Sequence, residues 1–393
     1  MKFNVNLVFL AGGIGARIKK YTNKIPKPLL KFTKNEFLQD LINFNAKFNF
    51  DKIYILSGYK SYKFIKKYKN SINNLTDTKL ISEKVPLDTG GALSQLKKTK
   101  NDIILINGDT FFDIDLNDFI NKSKSNKCDC TIALTKSYIS QNEKLSNLSI
   151  KKNGYLKIVK NSNLKNAGIY FFKNRFLKSI PKKKISLENE ILLKKIKDNK
   201  VKGIFYKKKF IDVGSYKNIT LGKKIFPKLF RKSGIILDRD GVINHDYGYV
   251  HKFNKFKFRP GVIKALKYLT KKNIYIFIVT NQAGIAKKKF RESDFFILQK
   301  KLKFLLSKKK VFIDDVQFCP HHPDGKIKKY KKKCACRKPK NGMILQLIKK
   351  WNISRDKLFM IGDKKTDKDA AISSNIKFEY VENDLFKQIR KIY

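Results

Sequence analysis

Short apolar runs that stop abruptly at a carboxylate or a glycine recur along this chain, and they constrain its fold more than its composition does. The sharpest is Gly234-Ile235-Ile236-Leu237-Asp238-Arg239-Asp240-Gly241. Such a run reads as a buried parallel strand. Asp238 and Asp240 then sit at its C-terminal end, where open α/β sheets keep their sites. Residues 7–11, 53–56, 103–106 and 131–134 repeat the strand signal, with helix-like stretches between them. This alternation predicts an α/β chain with mainly parallel sheets flanked by helices. At 393 residues, two such domains are expected. We expect the first over 1–225, a basic linker containing Pro227 over 226–232, and the second over 233–393.

A formal net charge of +57, taken alone, suggests nucleic acid or an anionic membrane as partner. The excess is mostly lysine, spread over the whole length and accompanied by abundant Asn, Ile, Phe and Tyr. That mixture fits A/T-rich codon usage better than a binding patch, and no nucleic-acid-binding signature accompanies it. No apolar run approaches the roughly 18–20 residues of a membrane helix, and the run near the N-terminus is too short for a secretory signal. The expectation is a cytoplasmic protein with neither nucleic acid nor membrane as partner. Arginine is scarce, nine residues in all, so each is expected to serve through its planar fork. Arg17, Arg239, Arg259 and Arg337 fall in or beside the motifs below. Five cysteines, an odd number in such a compartment, argue against disulfides.

In the first half, Leu10-Ala11-Gly12-Gly13-Ile14-Gly15-Ala16-Arg17 ends a strand in a glycine-rich turn. Backbone there can approach a phosphate closely, and a following helix would offer free N–H groups. In Ile25-Pro26-Lys27-Pro28-Leu29, two prolines are expected to hold the chain extended and set Lys27 against the same phosphates. Each feature singly has an ordinary structural explanation. With Asn107-Gly108-Asp109, Asn166-Ala167-Gly168, Ser186-Leu187-Glu188 and Phe210-Ile211-Asp212 following in order, the set resembles the sugar-phosphate nucleotidylyltransferases. The resemblance implies that Asp109 and Asp212 hold Mg²⁺ and that Arg17 and Lys27 neutralise phosphates. It places Leu10, Ala11, Gly12, Gly13, Gly15, Glu83 and Gly90 around the nucleotide, and Asn166, Gly168 and Glu188 on the sugar. In that reaction a sugar 1-phosphate oxygen attacks the α-phosphorus of an NTP and pyrophosphate leaves. The stretch from Glu83 to Ala92 is similar to the loop of D-glycero-α-D-manno-heptose 1-phosphate guanylyltransferases, except that Asp88 stands where they have glycine. A carboxylate at Glu83 suits the N1–H and N2–H of guanine, so GTP is the expected nucleotide, with other bases as the alternative.

In the second half, Asp238 and Asp240 are followed by Thr280-Asn281-Gln282-Ala283, then Arg337-Lys338, then Gly362-Asp363-Lys364, the first, second and last after apolar runs. That order resembles the haloacid-dehalogenase (HAD) superfamily. It implies Asp238 as nucleophile, Asp240 as acid and base, Thr280 and Lys338 on the phosphoryl group, and Mg²⁺ at Asp238, Asp363 and a backbone carbonyl, that of Asp240. Cys319-Pro320-His321-His322 with Cys334-Ala335-Cys336 offers three sulfurs and an imidazole, a set suited to a closed structural zinc site. His321 is the expected ligand and His322 the alternate. Over about 233–380 this half resembles the D-glycero-D-manno-heptose 1,7-bisphosphate phosphatases, sharing Asp246-Tyr247-Gly248-Tyr249-Val250-His251. That implies substrate contacts from Asp246, Tyr247, Gly248, Tyr249, Asn281, Gln282, Ala283, Arg337 and Lys364. Histidinol-phosphate phosphatases, which share the zinc loop, are the alternative. Both resemblances imply a Rossmann-like sheet, GT-A-like in the first domain and HAD-like in the second. Heptose bisphosphate, heptose 1-phosphate and an NTP would be the partners, and a homo-oligomer stays open.

Overall fold

The computed structural model describes residues 4–69, 71–136, 148–230 and 233–393. The chain forms two compact units. One takes residues up to Asn45 and Phe50–Phe226; the other takes Ala46–Asn49 and Pro227–Tyr393.

In the first unit the strands are β1 (Val5–Leu10), β2 (Ile53–Ser57), β3 (Ser71–Asn73), β4 (Thr76–Ser82), β5 (Asp102–Asn107), β6 (Thr110–Phe112), β7 (Cys130–Lys136), β8 (Leu148–Ile150), β9 (Leu156–Ile158), β10 (Leu164–Phe172), β11 (Val201–Phe205) and β12 (Phe210–Asp212). The main sheet runs β11-β7-β10-β5-β1-β2-β4-β3, with β8 and β9 beside β10, while β6 and β12 form a separate ladder. Strands β5, β1, β2 and β4 are parallel. β10 reverses between β5 and β7 and carries a bulge between Asn166 and Tyr170. Leu7, Val8 and Phe9 are fully buried, as are Ile103, Ile104 and Leu105, because strands covered on both faces need continuous apolar runs. Leu10 of β1 pairs with Asn107 of β5, so the glycine turn and Asn107-Gly108-Asp109 leave the sheet side by side.

The second unit has β13 (Gly234–Leu237), β14 (Tyr275–Asn281), β15 (Asp315–Cys319), β16 (Leu358–Gly362) and β17 (Lys377–Tyr380), ordered β15-β14-β13-β16-β17. All neighbours are parallel. Helices cover this sheet through apolar stripes. Val262, Ala265, Leu266 and Leu269 of the helix Val262–Lys271 are buried at helical spacing. Leu237 pairs with both Ile278 and Ile361, so Asp238, Thr280 and Asp363 emerge at one edge.

The expected linker begins as helix. Tyr216–Phe230 is one helix with Pro227 inside it, held by the buried Ile219, Phe226 and Phe230. Arg231 and Lys232 lie outside the described residues. Among the described residues, no helix is long and apolar enough to cross a membrane.

Candidate active sites

Where the second sheet's strands end, a cavity of about 490 Å³ is lined by Asp238, Asp240, Asp246, Gly248, Tyr249, Thr280, Asn281, Gln282, Ala283, Arg337, Lys338, Lys364 and Asp367, among others. Lys338 is buried there. Its Nζ lies 2.8 Å from Asp238 Oδ1 and 2.6 Å from Asp367 Oδ1, and donates to the Val279 carbonyl at 2.9 Å. Burial acts to lower the ammonium's pKa, but the two carboxylates outweigh it and raise it. Burial pushes the Asp238 carboxyl up to about 7; Lys338 opposes the rise and Asp367 adds to it. Asn281 clamps the Lys338 peptide. Its Nδ2 donates to the Lys338 carbonyl at 3.0 Å, and its Oδ1 accepts from Lys338 N at 3.1 Å. The side chain expected to touch substrate thus lines the cavity and also fixes the lysine.

Carboxylate oxygens of Asp238, Asp363 and Asp367 lie within 4.8 Å of one another. The Asp240 carboxylate is outside that group, in keeping with a metal contact expected from its backbone carbonyl: it accepts from Arg239, Asn244 and Gln282. Asp367, which has no role in the sequence motifs, completes the trio. Its Oδ2 also accepts from Lys364 N at 3.0 Å, at the start of the helix Lys365–Ser373. An acid on the first turn after the strand-end Asp363 was the available signal. Asp363 Oδ1 is buried with no hydrogen-bond partner among the described residues, an arrangement that suits a cation. Gly241 makes room for this carboxylate. Its φ is +93°, and a Cβ there would lie 2.2 Å from Asp363 Oδ2. Arg259, beside the motif, donates to the Gly241 carbonyl.

The Asp246–Tyr249 turn is split by the structure. Asp246 accepts from Lys364 Nζ and Gly248 N, each at 3.0 Å, and these bonds lower its pKa against the effect of burial. Tyr249 lines the cavity with φ at +52°. Tyr247 does not line it: its ring is 58% exposed and stacks on His245 at 5.9 Å.

Cys319, at the end of β15, meets the loop that carries Arg337 and Lys338. Its sulfur lies 3.5 Å from Cys334 Sγ and 3.3 Å from Cys336 Sγ; His321 Nδ1 lies 3.4 Å from Cys336 Sγ. A tetrahedral ion with metal–sulfur bonds of about 2.3 Å needs sulfurs roughly 3.8 Å apart, so the cluster fits zinc after a small expansion. His322 turns away, accepting from Asp324 N at 3.1 Å.

In the first unit a cavity of about 130 Å³ is lined by Leu10, Ala11, Gly13, Gly15, Lys27, Pro28, Thr89, Asn107 and Asp109. The segment around Lys27 is extended at Pro26 and again at Leu30, but not between them. Lys27–Leu29 forms a 3₁₀ turn that brings Lys27 Nζ to 2.7 Å from Asp109 Oδ2. The helix expected after the glycine loop is likewise reduced to a 3₁₀ turn, Ala16–Ile18, and a single turn, Lys19–Thr22. Asp212 pairs with Thr110 across the β6–β12 ladder, next to Asp109. Its carboxylate and Arg17 Nη2 both lie against Gly214. Arg17 is exposed and does not line the cavity.

Glu83 lies beside Gly12 and Gly58 and accepts from Leu87 N at 3.3 Å; burial raises its pKa. Gly90 is not among the residues lining this cavity. Its N–H donates to the Ile185 carbonyl at 2.9 Å, and a Cβ there would lie 2.9 Å from that oxygen. Asp88 adopts the left-handed conformation at φ +59° that its glycine-like position requires. Glu188 Oε2 accepts from Thr89 at 2.8 Å and its Oε1 from the Tyr170 hydroxyl at 3.2 Å. Asn166 donates to that hydroxyl at 2.7 Å and accepts from Gly168 N at 3.0 Å. The three sugar-site residues are thus one connected network, through Tyr170. Thr89, which lines the cavity, links it to this network.

Residues 6–224 match the nucleotidyl transferase family and residues 235–386 the polynucleotide kinase 3 phosphatase family. The chain is 46% identical over 143 residues to the D-glycero-beta-D-manno-heptose-1,7-bisphosphate 7-phosphatase of Haemophilus influenzae, covering 36% of this chain and 77% of the relative. The Escherichia coli enzyme of the same name is 42% identical over 142 residues, 36% of this chain and 74% of the relative. Among solved structures, HddC from Yersinia pseudotuberculosis is 26% identical with a TM-score of 0.47, over 56% of this chain and 99% of that one. The chain is a two-enzyme fusion that belongs to the nucleotidyl transferase family through its first part and to the family of these heptose bisphosphate phosphatases through its second.

Proposed function

We propose that residues 233–393 remove the 7-phosphate of D-glycero-D-manno-heptose 1,7-bisphosphate, and that residues 1–225 join the resulting heptose 1-phosphate to a nucleotide, GTP by preference. The observation that carries the first step is the buried Asp238–Lys338–Asp367 cluster at a cavity, in a stretch 46% identical to a heptose bisphosphate phosphatase. Asp238 attacks phosphorus and forms an aspartyl-phosphate as the sugar oxygen leaves. Asp240 gives that oxygen a proton, then takes one from the water that hydrolyses the acyl phosphate. Lys338 and Thr280 hold the phosphoryl oxygens, and Arg337 and Lys364 bind the rest of an anionic substrate. Asp238, Asp363 and Asp367 would hold Mg²⁺, which when bound offsets charge on the phosphoryl group. Cys319, His321, Cys334 and Cys336 would hold zinc, which ties the loop bearing Arg337 and Lys338 to the end of β15.

In the transferase, Lys27 and Arg17 face the phosphates, Glu83 the base, and the Asn166–Tyr170–Glu188–Thr89 network the sugar hydroxyls. Asp109 and Asp212 would hold Mg²⁺, whose charge when bound screens the two anions from each other. Both substrates are soluble anions, consistent with a cytoplasmic reaction. The relatives' names carry the β anomer, whereas the guanylyltransferase loop resembles that of enzymes for the α anomer, so the anomer is a second question for the same experiment. It is incubation with each anomer of the bisphosphate, each NTP and Mg²⁺, followed by mass spectrometry. A GDP-heptose product is expected. Absence of any nucleotide-linked heptose would defeat the joint reading, and a strong preference for ATP would defeat the guanine assignment. Metal analysis of the purified chain should find one zinc; none would defeat the zinc assignment.

A further inference from the structure

Arg239 is the largest side chain with no exposed surface, and the assignments above leave it without a role. A buried guanidinium is costly unless its charge is met; here Nε and Nη2 are paired, while Nη1 has no hydrogen-bond partner among the described residues. Nε reaches both Asp240 oxygens at 3.2 Å, and Nη2 reaches them at 2.9 and 2.7 Å. Nη2 also donates to the Val250 carbonyl at 2.7 Å, directly after the Asp246–Tyr249 turn. The guanidinium carbon lies 5.7 Å from the centre of the Phe295 ring. Asn244 and Gln282 complete the hold on Asp240, at 2.9 and 3.0 Å. An ammonium cannot reproduce this planar, multidentate grip.

We propose that Arg239 is a positioning residue for the phosphatase step. It fixes the Asp240 carboxyl at the cavity wall and ties it to the chain that follows the substrate turn. The role rests on the phosphatase reading above. When the phosphorus–oxygen bond breaks, its electron pair stays on the leaving oxygen, and that oxygen takes the proton from Asp240. How much this matters depends on the leaving group: a sugar alkoxide needs the proton, whereas p-nitrophenolate departs without it.

The test compares the whole chain with its Arg239→Lys variant on a sugar phosphate ester and on p-nitrophenyl phosphate. Turnover of the sugar ester is expected to fall roughly 100-fold and that of the aryl ester less than about five-fold, with KM little changed. Equal losses on both esters, or a gain on the sugar ester, would overturn the role. If Arg239→Lys gives no folded protein by circular dichroism, Asn244→Ala removes one donor to Asp240 without stranding a buried charge. The same bias toward the aryl ester is then expected, and an unchanged ratio would overturn the role. A wild-type chain inactive on both esters would sink the phosphatase reading itself, and this role with it.

Discussion

The two candidate sites prepare for chemistry in opposite ways. In the second unit the reactive groups already grip one another. Lys338 bridges Asp238 and Asp367, Asn281 clamps the Lys338 peptide, and Arg239 holds Asp240. In the first unit Lys27 and Asp109 are paired, while Arg17 stands exposed and the cavity is about a quarter the size, 130 against 490 Å³. The difference matches what the two proposed reactions require. A carboxylate that must itself attack phosphorus needs a fixed position and a compensating cation before substrate arrives. A transferase that only aligns two anions can leave part of its charge free for them.

Asp238→Asn is the strongest way to break this comparison. Phosphate release should fall roughly 10⁴-fold or more, while nucleotide transfer from pre-made heptose 1-phosphate continues unchanged. If both activities fell together, the sites would not be independent. Gly241→Ala should come next. The added methyl collides with Asp363 at a backbone angle that favours glycine, and a displacement on the order of 1 Å at such a site costs about 100-fold. Phosphate-release kinetics should show that loss, and near-normal rates would mean that Asp363 has more room than the geometry gives it. In the other site, Lys27→Met should lower kcat/KM for transfer by about 100-fold with phosphate release intact. A loss below ten-fold would mean that Lys27 serves mainly to pair Asp109. The smallest effect belongs to Asp88→Gly. Relief of the left-handed backbone and the greater freedom of the unfolded chain nearly cancel, so the unfolding free energy from denaturant titration should change by no more than about 1 kcal/mol. Transfer should be unaffected, since Asp88 is exposed; a large loss would give its carboxylate a role in the reaction.

What was legible in the sequence was what lies along one strand and its end. The run through Leu237 had to be a buried strand, and the residues after it had to emerge at the sheet's edge; Asp238, Thr280 and Asp363 did so. The zinc-loop residues were legible because few other uses bring three sulfurs and an imidazole to such spacing, and in the structure they converge. Side-chain partnerships across the fold were not legible. Nothing in the chain's order pairs Asp367 with Lys338, or Thr89 with Glu188. Gly90 is expected beside the nucleotide, but a glycine that admits a ligand and one that admits another segment of the same chain look alike in sequence. Only the Ile185 carbonyl beside it distinguishes them. The prolines around Lys27 restrict their neighbours but do not forbid a 3₁₀ turn, and Lys27–Leu29 takes one.

The register of the two sheets also bears on how the chain is made. The first unit's site draws on residues from Leu10 to Gly214, whereas the second needs β13, β14, the cysteine loop and β16 all in place before Asp363 can approach Asp238. Emerging from the ribosome, the chain therefore completes its nucleotide-transfer centre while most of the hydrolytic one is still unsynthesised. Order of manufacture and the proposed order of reaction run in opposite directions, so the activity proposed to act second is assembled first.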